Sequence, residues 1–107
     1  MSYAVRVYET GDTSVLQLEE VKLRPPAAGE VLIRHTAIGL NFIDTYFRSG
    51  IYPPPQLPFT PGTEAAGIID AVGEGVLDIE TGDRVVCASP PLGAYSEYRL
   101  MPVSRVV

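Results

Sequence analysis

The fold is decided by residues 39–67, which contain three pieces: Gly39-Leu40-Asn41-Phe42-Ile43-Asp44-Thr45-Tyr46, then Tyr52-Pro53-Pro54-Pro55, then Pro61-Gly62-Thr63-Glu64-Ala65-Ala66-Gly67. Polar side chains are few in these pieces, and glycines and prolines flank them. This pattern is typical of a pocket wall, where a small number of polar groups project from an otherwise apolar surface. We therefore expect the rest of the chain to form the scaffold that presents this stretch.

The stretch begins at the end of a long predicted strand. Residues 30–40 alternate in the manner of a strand and carry apolar side chains on both faces, which predicts a strand buried in the middle of the domain. The period changes at Asn41, whose side-chain oxygen is followed three residues later by the acid Asp44, as in a capping box. A short helix is therefore predicted over residues 42–49, ending at Gly50.

A proline-rich loop follows this helix. Residues 51–62 hold five prolines, which remove backbone donors and fix the chain in an extended course. We expect the loop to be preorganised, to lie on the surface and to be unable to join a sheet.

The remaining segments predict a mainly β fold. Residues 3–9 and 15–21 alternate on either side of a turn at 11–14, which predicts a hairpin that directs Val15, Leu16 and Leu18 into the core. Further strands are predicted over three ranges separated by glycine-containing turns: 65–72, 84–88 and 94–101. Six or seven short strands and a single short helix are typical of a small β-barrel or sandwich.

Length and charge limit the classes of protein. A chain of 107 residues provides one domain with one modest core. No apolar run approaches the roughly 18 to 20 residues that cross a bilayer, and the first residues lack the features of a secretory signal. We therefore expect a soluble, cytoplasmic protein. The net charge of −5 and the scattered basic residues argue against nucleic acid and anionic membranes as partners.

The single cysteine and the single histidine are expected to be structural. Cys87 has no second cysteine with which to form a disulfide or a thiolate zinc site, so we predict a small core residue. His35 lies within a strand pattern, and we predict a core or edge residue rather than a catalyst.

Four motifs in order give the chain a resemblance to a known family: AIGLNFIDTY over 37–46 with RSGIYP over 48–53, GTEAAG over 62–67 with VG at 72–73, GDRVV over 82–86, and GAYSEY over 93–98. The chain resembles the N-terminal, GroES-like domain of medium-chain dehydrogenases/reductases, and among these the NADPH:quinone oxidoreductases related to ζ-crystallin. The resemblance implies a partly open β-barrel with one or two short helices, with residues 1–107 forming a substrate-side catalytic domain. It also implies a dinucleotide-binding Rossmann domain beyond residue 107, so we expect this part of the enzyme to be inactive alone.

The resemblance also implies a set of site residues. Asn41, Tyr46, Tyr52 and Thr63 are expected to serve catalysis. The nicotinamide end of NADPH, held mainly by the Rossmann domain, is expected to lie against Asn41, Phe42, Ile43, Asp44, Thr45 and Tyr46.

No metal is expected in this site. In the zinc-dependent alcohol dehydrogenases of the superfamily, the position of Asn41 is typically a cysteine ligand and that of Thr63 a histidine ligand. Asparagine and threonine are weak ligands for zinc. The resemblance therefore implies a zinc-free enzyme in which hydrogen bonds polarise the substrate carbonyl.

Each of these residues also has a simpler structural interpretation. Asn41 can serve as a helix N-cap, which stabilises a helix by about 1 kcal/mol, and this role is compatible with one in the cleft. Tyr46 has the spacing of a half-buried core aromatic residue, and Tyr52 is either a loop anchor or a flat wall for a quinone ring. Thr63 is a residue at the entry of a strand, and Asp44 has a structural or supporting role.

The functional hypothesis is hydride transfer from NADPH to a quinone or another conjugated carbonyl compound, by an enzyme that is a homodimer at full length. One alternative is a 2-enoyl reductase of the same family. An alternative of another class is a non-enzymatic barrel, either a co-chaperonin-like ring subunit or a structural crystallin. A ring subunit needs a long mobile loop, and the five prolines of residues 51–62 argue against one.

Overall fold

A computed structural model of the chain describes residues 2–107. The elements in this range are strands β1 (Ser2–Arg6), β2 (Gln17–Val21) and β3 (Glu30–Ile38), helix α1 (Phe42–Ser49), and strands β4 (Ala65–Val72), β5 (Arg84–Cys87) and β6 (Tyr98–Pro102). Short 3-10 turns lie at Thr13–Val15 and Val103–Arg105. The predicted mainly β fold is confirmed. Helix α1 is too short to cross a membrane, and the described residues contain no other helix that could.

The strands form two antiparallel sheets. The larger sheet has the order β5-β4-β3-β6, and β1 and β2 form a separate hairpin in which Val5 faces Leu18. A single bridge between Ala4 and Ser96 joins the hairpin to the region before β6, and the Val5 amide donates to the Tyr95 carbonyl at 2.8 Å. The sheets are thus linked by isolated bridges rather than by a continuous ladder, as expected for a partly open barrel.

The core lies on one face of the larger sheet. It is formed by side chains that alternate inward along the four strands: Val31, Ile33, Ile69, Val85, Cys87 and Met101. Each of the four strands contributes to this one cluster, so the core packs β3 and β4 together with β5 and β6. The prediction that Cys87 is a core residue is confirmed, and burial raises the pKa of its thiol.

The hairpin is confirmed, but its predicted contribution to the core is wrong. Leu18 is 72% exposed, Leu16 is also exposed, and Val15 is only partly buried. Residues 13–15 form a 3-10 turn in which Asp12 accepts a hydrogen bond from the Ser14 amide at 2.9 Å, so β2 begins at Gln17 rather than at residue 15. No second layer covers the outer face of this two-stranded sheet in the described structure, and alternation alone does not identify the buried face.

Other strands are shorter than predicted. The first ends at Arg6 and the last begins at Tyr98, because Val7 and Ser96 pair through single bridges outside the regular ladders. The third ends at Ile38, two residues earlier than predicted. Strand β3 has partners on both sides, as predicted for a central strand, but its last three residues, 36–38, are exposed.

The proline-rich loop pairs with the end of the first strand segment at Phe59, and its last two residues, Pro61 and Gly62, accept hydrogen bonds from the amides of residues 93–95. The Phe59 amide donates to the Val7 carbonyl at 3.0 Å, the Val7 amide donates to the Phe59 carbonyl at 2.9 Å, and the Phe59 ring is buried. The loop joins neither sheet, as predicted, and Phe59 and Val7 form an isolated bridge outside the strands. Phe59 follows Pro58, but it has its own amide and carbonyl, so both are available for a bridge.

Candidate functional site

The first turn of α1 is the centre of the candidate site. The Asn41 amide donates to Asp44 Oδ2 at 3.0 Å, and the Asp44 amide donates to the Asn41 carbonyl at 3.0 Å. Asn41 has the extended backbone of an N-cap, and Gly50 ends the helix with a left-handed backbone. The predicted limits of the helix are confirmed. Local capping chemistry therefore places Asn41 at the entrance to the helix.

Most side chains of this turn reach the surface. Phe42 is 83% exposed and Tyr46 is 37% exposed, Ile43 is also exposed, and Asn41 and Thr45 are half-buried. A side chain must be accessible to contact a bound molecule directly. Five of the six residues expected to line the cofactor meet this condition. The exception is Asp44, described below.

Tyr52 extends this surface beyond the end of the helix. Its amide donates to the Tyr46 carbonyl at 3.2 Å, and the two rings meet edge to face with centroids 5.4 Å apart. A second edge contact with Phe47 has centroids 5.8 Å apart. Tyr52 is 44% exposed, so it anchors the loop while its ring remains partly open to solvent. The structure thus brings two predicted catalytic residues, Tyr46 and Tyr52, into contact.

Thr63 lies on a neighbouring segment. The Gly39 amide donates to the Glu64 carbonyl at 3.1 Å, which holds the chain just before Asn41 beside the chain just after Thr63. Thr63 is half-buried, and its side chain makes no hydrogen bond within residues 2–107. The structure therefore places Thr63 next to the start of the helix without joining it to Asn41, Tyr46 or Tyr52.

Asp44 is 3% exposed and points into the protein. Its Oδ2 accepts a second hydrogen bond, at 2.7 Å, from the Tyr95 hydroxyl. Tyr95 was not among the predicted site residues, because it lies 51 positions from Asp44 and local patterns do not report such a pairing. The only signal in the sequence was its place within the motif at residues 93–98. Burial, followed by the hydrogen bond to Asp44, raises the pKa of Tyr95, so its hydroxyl remains a donor.

A groove in the described structure does not include the aromatic pair Tyr46 and Tyr52 in its lining. It has a volume of about 800 Å³ and runs between the hairpin and strands β3 and β6, with Leu40 and Tyr95 on its wall. His35 also lines this groove, and its Nδ1 lies 2.8 Å from the Ser96 carbonyl. Burial lowers the pKa of His35, and the hydrogen bond holds the ring in place.

Within residues 2–107, no three His, Cys, Asp or Glu side chains are grouped closely enough to hold a metal ion. Asn41 and Thr63, the two residues on which the expectation of a zinc-free site depends, carry an amide and a hydroxyl group.

Comparison with known families assigns the chain. It matches the alcohol dehydrogenase GroES-like domain over residues 27–107. The chain belongs to this family. Within it, the chain is 52% identical over 96 residues to quinone oxidoreductase 1 of Escherichia coli, a match that covers 90% of this chain and 29% of the relative. It is also 43% identical over 110 residues to 2-haloacrylate reductase of a Burkholderia species, covering all of this chain and 33% of that protein.

The fold agrees with that of a solved GroES-like domain. The chain superposes on E. coli quinone oxidoreductase complexed with NADPH with a TM-score of 0.94 and 47% identity, covering 98% of this chain and 32% of that one. The chain thus spans about a third of the length of the relatives that it matches. The prediction of a GroES-like domain related to quinone oxidoreductases is confirmed.

Proposed function

We propose that residues 1–107 form the substrate-side domain of a zinc-independent, NADPH-dependent quinone oxidoreductase. The observation that carries the proposal is the accessible face of α1: Asn41 caps the start of this helix, and the partly exposed Tyr46 and Tyr52 meet edge to face farther along it. The likeness to E. coli quinone oxidoreductase supports the choice of reaction. We propose further that this face of the domain contacts the nicotinamide ring in the whole protein, where catalysis takes place.

The surface of α1 fits the nicotinamide end of the cofactor. A flat, partly polar ring requires an accessible apolar surface with a few hydrogen-bonding groups at its edge. Phe42, Ile43 and the ring of Tyr46 provide such a surface, and Asn41 and Thr45 provide the polar groups. When bound, NADPH would supply the hydride. The chain would contribute the wall against which the ring is oriented.

Neutral donors would activate the acceptor. As a quinone is reduced, negative charge develops on its oxygen, and preorganised hydrogen-bond donors stabilise that charge. We assign this role to the Tyr46 hydroxyl and the Asn41 amide group on α1, and Thr63 adds a hydroxyl on the adjacent segment. Tyr52 would provide a flat contact for the quinone ring. Asp44 is buried, so we assign it to holding Asn41 rather than to contact with the cofactor.

A second candidate is the reduction of a conjugated carbon–carbon double bond beside a carbonyl group, as in a 2-enoyl reductase. The relative named 2-haloacrylate reductase favours this alternative. Both reactions need a donor at a carbonyl oxygen, so the same residues would act in both.

The test uses the full-length protein with NADPH and a panel of small quinones, enoyl-CoA esters and 2-haloacrylates. We expect the highest kcat/KM with a quinone, and a fall in kcat of about 100-fold for Tyr46→Phe and Asn41→Ala. Tyr3→Phe is the matched control, because Tyr3 is 49% exposed and its hydroxyl makes no hydrogen bond within the described residues. Unchanged kinetics in both site variants would remove these residues from the mechanism, and a preference for enoyl esters or haloacrylates would favour the second candidate.

A further inference from the structure

Tyr95 connects three parts of the molecule that the site depends on. Its hydroxyl donates to Asp44 on α1, its amide donates to the Pro61 carbonyl at 2.9 Å, and its carbonyl accepts from the Val5 amide at 2.8 Å. The backbone bonds fix Tyr95 against β1 and against the segment that leads to Thr63. The side chain then reaches from this fixed position to the helix.

The Asp44 carboxylate has little other support. Its Oδ2 receives the Asn41 amide and the Tyr95 hydroxyl, and its Oδ1 is buried without a hydrogen-bond partner among residues 2–107. No lysine, arginine or histidine of that range forms an ion pair with it. A buried carboxylate is costly unless hydrogen bonds compensate the loss of water. In the described structure, Tyr95 is the one side chain that donates to it.

We propose that Tyr95 is a positioning residue for the reaction, acting through Asp44 to hold the first turn of α1 in register with the segment that carries Thr63. This inference rests on the proposed function, because it assumes that Asn41, Tyr46 and Thr63 meet the same acceptor. In this role Tyr95 does not contact the acceptor. It maintains the distance between donors that come from two separate segments, and catalysis is sensitive to displacements of about 1 Å.

The experiment compares Tyr95→Phe with Tyr98→Phe in the full-length protein. Both tyrosines are half-buried, but the Tyr98 hydroxyl makes no hydrogen bond in the described part of the chain, so Tyr98→Phe controls for loss of a hydroxyl. We expect Tyr95→Phe to lower kcat roughly 10- to 100-fold with an unchanged Kd for NADPH, and Tyr98→Phe to behave as the wild type. Hydrogen exchange at the amides of residues 41–45 should become faster in Tyr95→Phe alone.

A second variant shows whether Tyr95 acts through Asp44. In a protein that already carries Asp44→Asn, the further change Tyr95→Phe should lower kcat much less than it does in the wild type, because both changes disrupt the same hydrogen bond. Additive losses, equal losses in Tyr95→Phe and Tyr98→Phe, or wild-type kcat in Tyr95→Phe would each overturn the proposal. If Tyr95→Phe does not fold, the test uses Asp44→Asn alone. Wild-type kcat together with wild-type hydrogen exchange at residues 41–45 in that variant would overturn the proposal.

The two proposals fail in different ways. A wild-type protein that reduces none of the panel substrates contradicts the proposed function. In that case the exchange rates of residues 41–45 decide whether Tyr95 holds the helix, and equal rates in Tyr95→Phe and wild type would overturn that role as well.

Discussion

Replacing Gly62 with alanine tests the packing beside Thr63. Gly62 has a φ of +107°, and a Cβ atom there would lie 2.7 Å from the Ala94 Cβ, 2.7 Å from the Tyr95 Cδ1 and 2.9 Å from the Tyr95 amide nitrogen. The backbone conformation costs an L-residue about 1–2 kcal/mol, and overpacking costs about a further 1–3 kcal/mol. We therefore expect the free energy of unfolding to fall by about 2–5 kcal/mol.

Gly82→Ala is the matched control. Gly82 has a φ of +97°, but a Cβ atom there would meet nothing within 4 Å. Gly82→Ala should lower the free energy of unfolding only by the cost of the left-handed backbone, about 1–2 kcal/mol. The reduced conformational entropy of the unfolded chain, which accompanies any change from glycine to alanine, affects both variants alike. Urea unfolding of the 107-residue chain measures both losses, since domains of this size usually unfold in two states. Equal losses in the two variants would refute the inference that Gly62 is required by its contact with Ala94 and Tyr95.

Two other predictions concern pH and metals. Hydrogen bonds from the Arg24 side chain and, next, from the Ala27 amide lower the pKa of Glu30 from 4.5 to about 2, so their contribution to stability is present above pH 4.5 and is lost as the pH falls toward 2. The free energy of unfolding should therefore decline more steeply across this range in wild type than in Glu30→Gln. Parallel curves for the two proteins would contradict the assignment. Dialysis of the full-length enzyme against a chelator should leave NADPH-dependent quinone reduction unchanged, whereas a loss of activity that zinc restores would overturn the proposed zinc independence.

The helix could be predicted from the sequence because its limits depend on neighbours along the chain. Asn41 and Asp44 are three residues apart and cap the first turn, while Gly50 supplies the left-handed residue that ends the last. The exposure of Phe42 does not follow from this local pattern, because the apolar residues of a short helix usually face the core.

Contacts between distant segments could not be predicted in this way. The alternation in residues 15–21 is real, but which face is buried depends on whether another layer covers it, and Leu18 faces solvent. The bridge of Phe59 with Val7 and the hydrogen bond of Tyr95 with Asp44 both join segments more than 50 residues apart. Neither partner carries a local signal of the other. The sequence therefore led to candidate residues on α1, where the pattern is local, and gave no indication of the contact between Tyr95 and Asp44.

The bridge at Phe59 divides the connection between α1 and β4 into two parts with different tolerance of change. Residues 53–57 form a surface arc whose ends are held, by Tyr52 against the helix and by Phe59 against β1. Lengthening or shortening this arc should alter the surface beside Tyr52 and leave Thr63 in place, because the bridge at Phe59 fixes the position of the chain that leads to β4. We therefore expect changes of length within residues 53–57 to be better tolerated than changes next to Phe59, which makes this arc the natural position for grafting new loops onto the scaffold.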